Sequence, residues 1–452
     1  MLAIGHLDAA VPTVRAAPSA FTRPALLPVW QLVLAWVLLV PLLYIAANGT
    51  FILHAGAVDT AATGQAPGTD ASHKISVAFV SLICIVLIAF RFAEVFALSR
   101  RMKLMLAFPV LAVVSCTWSG EPRQSIVSGL ILFVFTMFAI YVASRFPFQR
   151  QFELIMLVGA VALPASIALA LFVPSLGASE AGWKGIFGHK QICAAVSIVF
   201  LVTALHWKCY GIYQKTFRAM YIAMCFVLIV MSKSRTGWAL ALVALILCVV
   251  IWVLQAMPAK QALAILLLAL PAAAGALYII HTFSPSILVS VGKDATLSQR
   301  TIIWAAAWDA ALRRPILGYG FAAFWRGLYG SSQNVVLVAG WGLQQAQNGF
   351  LDVWLGLGAV GVALIAAMTG QGMRNAARSF YSAGEKAYVR WCVVVIVCTL
   401  LYNVGESAIG LINMNWFLFL LALIGLNQAA AARLAMTSAN IADDTRLVGG
   451  RW

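Results

Sequence analysis

Apolar segments of about 20 residues recur along the whole chain, and this is the length that crosses the hydrocarbon core of a bilayer as an α-helix. Hydrophobic residues make up 63% of the 452 residues and charged residues only 10%. Soluble globular chains carry about 25% charged residues. The sequence therefore predicts an all-α, polytopic membrane protein and excludes a soluble enzyme.

The lengths of the apolar segments predict about twelve transmembrane helices. The predicted spans are Leu27–Ala47, Ile75–Ala97, Leu104–Trp118, Ile126–Ser144, Phe152–Val173, Ile192–Trp207, Ala219–Met231, Trp238–Gln255, Ala262–His281, Phe350–Thr369, Trp391–Asn403 and Leu411–Leu426. The first of these is longer than the apolar part of a signal peptide, so we expect it to remain as an uncleaved helix.

The basic residues predict the orientation of the chain. With both termini in the cytoplasm, every short inside loop is basic, as the positive-inside rule requires. The net charge of +16 is then mostly topological and implies no nucleic-acid partner. This orientation predicts cytoplasmic tails at residues 1–26 and 429–452, and an integral membrane domain at 27–428. A large periplasmic loop at 282–348 belongs to that domain, and a bacterial inner membrane is the expected location.

Cysteine and histidine usage argues against a metal centre. The eight Cys lie in or beside the predicted spans without metal-ligand spacing, and the six His are scattered. Small packing residues are the expected role of the cysteines, and we expect neither a metal nor a cofactor.

Polar chemistry is concentrated between Thr296 and Gly361. Thr296 and Gln299 fit a helix capping box, and the apolar pattern predicts a helix to about Arg313. Arg300 lies in the first turn of that helix. Arg326 follows the glycine-rich turn GYGF, and the next apolar helix begins with three polar side chains, Gln347, Asn348 and Asp352.

Three short turns on the same predicted side carry further charges. Residues 232–238 read SKSRTGW, where Arg235 and Ser234 are suited to holding a phosphate. Residues 185–191 read GIFGHKQ, where His189 and Lys190 precede a helix whose N-terminal amides favour anions. Residues 401–407 read LYNVGES and place Glu406 at the outer end of a span. Each turn has an alternative reading as an ordinary solvated loop.

Together these residues fit a site for a lipid-linked diphosphate that opens toward the membrane. The cations are Lys190, Arg235, Arg300 and Arg326, and the polar and acidic groups are Gln347, Asn348, Asp352 and Glu406. Arginines would neutralise the charge of a leaving diphosphate, and a carboxylate or imidazole would take the proton of an acceptor hydroxyl. The predicted reaction class is glycosyl transfer from a polyprenyl diphosphate.

Several motifs resemble the superfamily of O-antigen ligases and exopolysaccharide polymerases. They are SKSRTG, SQRTIIW with LRRPILGYGFAAFW, and QNGFLDVWLGLGAVG, while WSGEP, GIFGHKQ and NVGES are more similar to the exopolysaccharide polymerase branch. The resemblance implies a twelve-helix, GT-C-like glycosyltransferase with a periplasmic active site. It also implies an undecaprenyl-diphosphate-linked oligosaccharide as donor, and metal-independent, inverting transfer. By motif position, Arg235 and Arg300 inherit the diphosphate-binding role.

The chain departs from the family pattern at one position. Where the family motif has a histidine that could serve as the base, this chain has Gln347, and glutamine cannot accept a proton at neutral pH. The base is then expected to be Asp352 or Glu406. Alternatively, Gln347 only orients the acceptor while the developing diphosphate takes the proton, or the activity is lost or changed.

Three functions remain open from the sequence. The first is a polymerase that joins lipid-linked repeats, with an acceptor glycan and membrane lipid as further partners. The second is a ligase that transfers glycan to lipid A–core, and the third is a transporter or flippase of lipid-linked saccharide. Asn348, Ser234 and His189 are expected to position donor or acceptor, and the sequence does not decide whether a chain-length regulator binds.

Overall fold

The computed structural model describes residues 29–49, 71–258, 260–261, 300–381 and 386–449, and these form helices almost throughout. The helices are α1 (Val29–Ala46), α2 (Ala71–Phe90), α3 (Phe92–Ser99), α4 (Lys103–Val114), α5 (Pro122–Arg145), α6 (Phe148–Phe172), α7 (Lys190–His206), α8 (Ile212–Met231), α9 (Arg235–Ala256), α10 (Arg300–Arg313), α11 (Gln333–Ala339), α12 (Gly349–Ser379), α13 (Lys386–Gly405) and α14 (Met414–Gly449). A single helical turn at Pro174–Gly177 and 3-10 turns at Ser115–Thr117, Gly185–Phe187 and Gly330–Ser332 complete the helical part. Two two-residue strands, β1 (Ala178–Ser179) and β2 (Gly182–Trp183), pair antiparallel.

The helices confirm an all-α, polytopic membrane protein. Eight of them are long and apolar enough to cross a membrane: α2, α5, α6, α8, α9, α12, α13 and α14. Shorter apolar helices occupy three more predicted spans, as parts of α1, α4 and α7. The predicted span Ala262–His281 lies outside the described residues, so the count of twelve stays a prediction. The last helix runs on to Gly449, past the predicted start of the tail at residue 429.

The predicted helix in the large loop is present as α10, which ends at Arg313 as expected. The residues proposed for its capping box, Thr296 and Gln299, lie outside the described part of the chain. The remainder of the loop that the structure describes, from Arg314 to Asn348, contains α11 and a series of turns.

Helix α13 lies near the centre of the bundle. The indole of Trp391 is fully buried and donates to the hydroxyl of Thr203 at 3.0 Å. Near the same end of α13, the hydroxyl of Tyr388 donates to Gln151 at 2.8 Å. Helices α2, α8 and α9 are peripheral and leave large apolar side chains exposed, as a lipid-facing surface requires. The position of α13 matters because Glu406 directly follows its last residue.

A break in α12 explains two glycine motifs of the sequence. Gly358 has φ of 65° and ψ of −166° inside the helix, a non-helical conformation that essentially only glycine adopts. There the GYGF turn docks onto the open backbone: the amide of Tyr319 donates to Leu355 O at 2.8 Å, and that of Ala359 donates to Pro315 O at 2.8 Å. A Cβ atom at Gly358 would overlap the carbonyl of Ile316. The large loop is therefore joined to a membrane helix by backbone hydrogen bonds that only glycine permits.

The polar turns gather at one end of the bundle, which we call the loop end. It comprises the turns at residues 115–121, 174–189, 232–234, 314–348 and 406–413. Contacts between turns hold it together: the indole of Trp118 donates to Leu317 O at 3.0 Å, and the amide of Gly349 donates to Glu406 O at 3.0 Å. The loop end thus brings together segments that are far apart in sequence.

Candidate functional site

Arg300 is the centre of a polar cluster at the loop end. Its Nε donates to Oε1 of Gln347 at 2.9 Å, and its Nη2 donates to Oε1 of Glu406 at 2.6 Å. The side chains of the ion pair are only 16% and 6% exposed. The structure therefore brings together three of the residues selected from the sequence. Helix α10 begins at Arg300 and α13 ends just before Glu406, so two helix termini place the pair.

Gln347 occupies a strained backbone position. Its φ is 53°, in the left-handed region that a residue with a side chain adopts at a cost of about 1 kcal/mol. The next residue, Asn348, caps α12 by accepting from the amides of Phe350 and Leu351 at 3.1 and 3.2 Å. This turn aims the amide oxygen of Gln347 at Arg300. Among the described residues nothing accepts from its amide nitrogen, which leaves that group available to a bound molecule.

Glu406 is a buried carboxylate, and its surroundings act on its pKa in two directions. Burial raises the pKa of Glu406 above the ordinary glutamate value. The charge and hydrogen bond of Arg300, and a hydrogen bond from the Gln191 side chain, oppose that rise. Gln191 was not among the residues selected from the sequence, although the GIFGHKQ motif contains it. The polar cluster therefore extends to the N-terminal turn of α7.

Asp352 lies one turn into α12 and is saturated with hydrogen bonds. Its Oδ1 accepts from the indole of Trp325 at 2.8 Å, and the amide of Ala346 donates to both carboxylate oxygens at 3.0 and 3.2 Å. The hydroxyl of Ser407 donates to Oδ2. Asp352 thus ties the turn before Gln347 to two other segments of the loop end. Sequence reasoning missed Trp325 and Ser407 as its partners, although both stand in quoted motifs.

Arg235 lies at the first turn of α9, beside the cluster. Ser234 caps this helix, with its hydroxyl accepting from the amide of Gly237 at 3.1 Å. A Cβ atom at Gly405 would lie 3.1 Å from Nη1 of Arg300 and 3.8 Å from the methyl group of Thr236. Thr236, which follows Arg235, and Arg300 therefore both lie next to Gly405. In the described part of the chain, the exposed guanidinium of Arg235 has no hydrogen bond or ion pair.

His189 and Lys190 form the edge of the site on α7. The ring Nδ1 of His189 accepts from the amide of Gln191 at 3.4 Å, and Lys190 Nζ donates to Ala181 O at 3.1 Å. Desolvation, followed by the charges of Lys190, Arg300 and Lys184, lowers the pKa of His189. The effect of Arg300 on this ring places His189 within electrostatic range of the cluster.

Arg326 is separated from the Arg300 cluster in contacts. Its Nη2 lies 3.5 Å from Oε1 of Glu121, and both side chains are substantially exposed. No contact among the described residues joins it to Arg300, so its predicted role in binding diphosphate has no geometric support beyond its presence at the loop end. Within the described ranges, no three His, Cys, Asp or Glu side chains are grouped as metal ligands would be, and the expectation of no metal stays a prediction.

A comparison with known proteins identifies the central part of the chain. Residues 220–366 match the family model described as O-antigen ligase. Among curated proteins, none matches the chain. The matched range contains Arg235, Arg300, Gln347 and Asp352, whereas Glu406 lies beyond it. The match supports the superfamily indicated by the sequence motifs and does not distinguish its exopolysaccharide branch.

Proposed function

From the match of residues 220–366 to the family model described as O-antigen ligase, we propose that the protein is a glycosyltransferase of the bacterial inner membrane that polymerises exopolysaccharide or O-antigen repeats. Its donor is a growing glycan on undecaprenyl diphosphate, and its acceptor is another lipid-linked repeat. The cluster of Arg300, Gln347 and Glu406 at one end of the membrane helices is the observation that carries this proposal.

The diphosphate of the donor binds to Arg300 and Arg235. Arg300 uses Nε and Nη2 for its two protein partners, and its Nη1 remains to donate to a phosphate oxygen. Arg235 contributes a second guanidinium, which is paired with no described residue, and the nearby N-terminal turns of α7 and α9 add positive ends of helix dipoles. These groups stabilise the negative charge that develops on the diphosphate as it leaves. Lys190 and His189 complete the positive edge.

The acceptor is activated by Glu406 in this account. A hydroxyl oxygen of the acceptor forms a bond to the anomeric carbon of the donor sugar, with inversion. The bond from that carbon to the diphosphate oxygen breaks, and its electron pair stays on the diphosphate. The hydroxyl proton passes to the carboxylate of Glu406, while the free amide nitrogen of Gln347 orients the acceptor. Gln347 thus keeps the positioning part of the role that the family gives to histidine.

Glu406 is a better candidate for the base than Asp352 because of their surroundings. Both oxygens of Asp352 already accept hydrogen bonds from protein donors, and its partners are structural groups. Glu406 instead forms an ion pair with the arginine that binds the leaving group, which places its carboxylate beside the reacting atoms. We therefore assign Asp352 to holding the Gln347 turn in place.

A ligase that transfers glycan to lipid A–core is the second candidate, because the matching family model carries that description. A deletion strain separates the two. Loss of a polymerase leaves single repeats in place of long polysaccharide, whereas loss of a ligase leaves polymer on its lipid carrier and removes it from lipopolysaccharide. Unchanged chain length together with unchanged lipopolysaccharide would overturn both assignments.

A further inference from the structure

A basic cavity lies at the opposite end of the bundle from the Arg300 cluster. It has a volume of about 500 Å³ and lies between the start of α4 and the second half of α12. Four cations line it: Arg100, Arg101, Lys103 and Arg374. No carboxylate lines it, and none of the four cations has an ion pair within the described ranges.

Of the four cations, Arg100 also lies over the ring of Phe96, 6.0 Å from its centroid, and several other cations at the same end are paired with a neighbouring side chain. Arg91 pairs with Glu94 at 2.7 Å, and Arg150 pairs with Glu153 at 2.6 Å. Arg390 donates to the side chain of Gln255 at 2.8 Å. Basic residues that only set the orientation of the chain in the membrane are not expected to line a single cavity. The four cations around this cavity therefore point to an anionic ligand.

A second observation comes from the crevice that adjoins the cavity at Gln371. Methionine and leucine side chains line this crevice, together with Asn375 and Asn427. Asn375 is only 6% exposed, and its side chain makes no hydrogen bond to any described residue. A ligand atom that entered from the cavity would offer this amide a hydrogen-bond partner.

We propose that this cavity binds a phosphate-bearing anion of the class that lipid headgroups carry. The four cations neutralise the phosphate, and the N-terminal turn of α4, which begins at Lys103, contributes the positive end of its helix dipole. Gln371 and Asn375 hydrogen-bond polar groups of the ligand. The cavity lies at the end of membrane-crossing helices, next to the exposed rings of Phe92 and Phe96, where headgroups are found. The site is independent of the proposed transferase site.

The test compares a double variant with a matched control in protein purified into nanodiscs. Arg101→Gln/Arg374→Gln removes two exposed cations of the cavity, and Arg145→Gln/Lys208→Gln removes two cations elsewhere at the same end. Native mass spectrometry measures retained phosphatidylglycerol after incorporation with excess phosphatidylcholine. We expect binding to weaken about tenfold or more in the cavity variant and to remain unchanged in the control.

A second arm titrates inorganic phosphate into the same samples. The phosphate group is what the cavity recognises if inorganic phosphate displaces phosphatidylglycerol from the wild type. The control variant should bind phosphatidylglycerol as the wild type does. Retention of lipid that resists phosphate but depends on Arg101 and Arg374 assigns the site to the whole headgroup. Equal binding of both anions by the wild type and the cavity variant would overturn the proposal.

Discussion

Arg300 holds two groups that follow it by 47 and 106 residues in the sequence, Gln347 and Glu406. Sequence patterns marked each of the three as polar groups in an apolar chain, and motif position singled out Arg300. Their mutual contacts could not be predicted, because they depend on how α10, α12 and α13 meet at the loop end. The hydrogen bonds that Trp325 and Ser407 donate to Asp352 could not be predicted for the same reason.

Replacement of Arg300 by lysine tests the need for a guanidinium. A lysine keeps the charge but cannot contact Gln347, Glu406 and a phosphate oxygen at the same time. We expect transfer to fall by about 100-fold, the loss typical of removing one charge-stabilising donor. Initial rates with a lipid-linked repeat measure the effect, with Arg313→Lys at the exposed end of the same helix as the control. Equal rates in the two variants would remove Arg300 from the site.

The pH dependence of the rate distinguishes the two carboxylates. A base must be ionised, so the rate falls as the pH drops through the pKa of Glu406, and burial places that fall above the pH expected for an ordinary glutamate. Glu406→Gln should remove this acidic limb and leave a low, flat residual rate. Asp352→Asn should lower thermal stability and rate while the limb persists. A limb that survives in Glu406→Gln would exclude Glu406 as the base.

At the scale of elements, the apolar segments predicted the helices because length and apolar composition together decide whether a segment can cross a bilayer. Every predicted span within the described ranges is helical, but the span Ile75–Ala97 is divided at Arg91 into two helices, α2 and α3. The break in α12 was not predicted, since α12 contains Gly356, Gly358 and Gly361 close together and nothing in the sequence singles out Gly358 as the point of the break. The structure shows the break together with the GYGF turn, whose amides donate hydrogen bonds to the carbonyl groups that precede Gly358.

A glycine pair on α12 tests the importance of that break. Gly358→Ala places a Cβ atom against the carbonyl of Ile316 at a positive φ, so we expect a loss of at least about 2 kcal/mol in stability. Gly370→Ala on the same helix meets no neighbour within 4 Å and should be neutral or slightly stabilising. Thermal unfolding in detergent compares them. A Gly358→Ala protein as stable as Gly370→Ala would contradict the docking of the loop.

At the scale of the whole molecule, the structure has two chemically different ends. The loop end holds the Arg300 cluster and the opposite end holds the basic cavity, so the two proposed anion sites lie apart along the helices. Which end faces the periplasm follows from the distribution of Lys and Arg in the sequence, and that orientation stays a prediction.

Single cysteines introduced into a cysteine-free background test the orientation. Ser331→Cys lies at the loop end and Lys208→Cys at the opposite end, and both positions are exposed. In intact spheroplasts, a membrane-impermeant maleimide should label the first variant, and it should label the second only after permeabilisation. The reverse pattern would place the site in the cytoplasm and exclude the proposed function.

The central claim is that the Arg300 cluster transfers glycan from undecaprenyl diphosphate. The most direct measurement uses purified protein in lipid with a defined undecaprenyl-diphosphate-linked repeat, and product size is determined on a gel. We predict a ladder of longer glycans from the wild type, its absence in Arg300→Lys, and its retention in Arg313→Lys. No extension by the wild type, or a full ladder from Arg300→Lys, would contradict the claim.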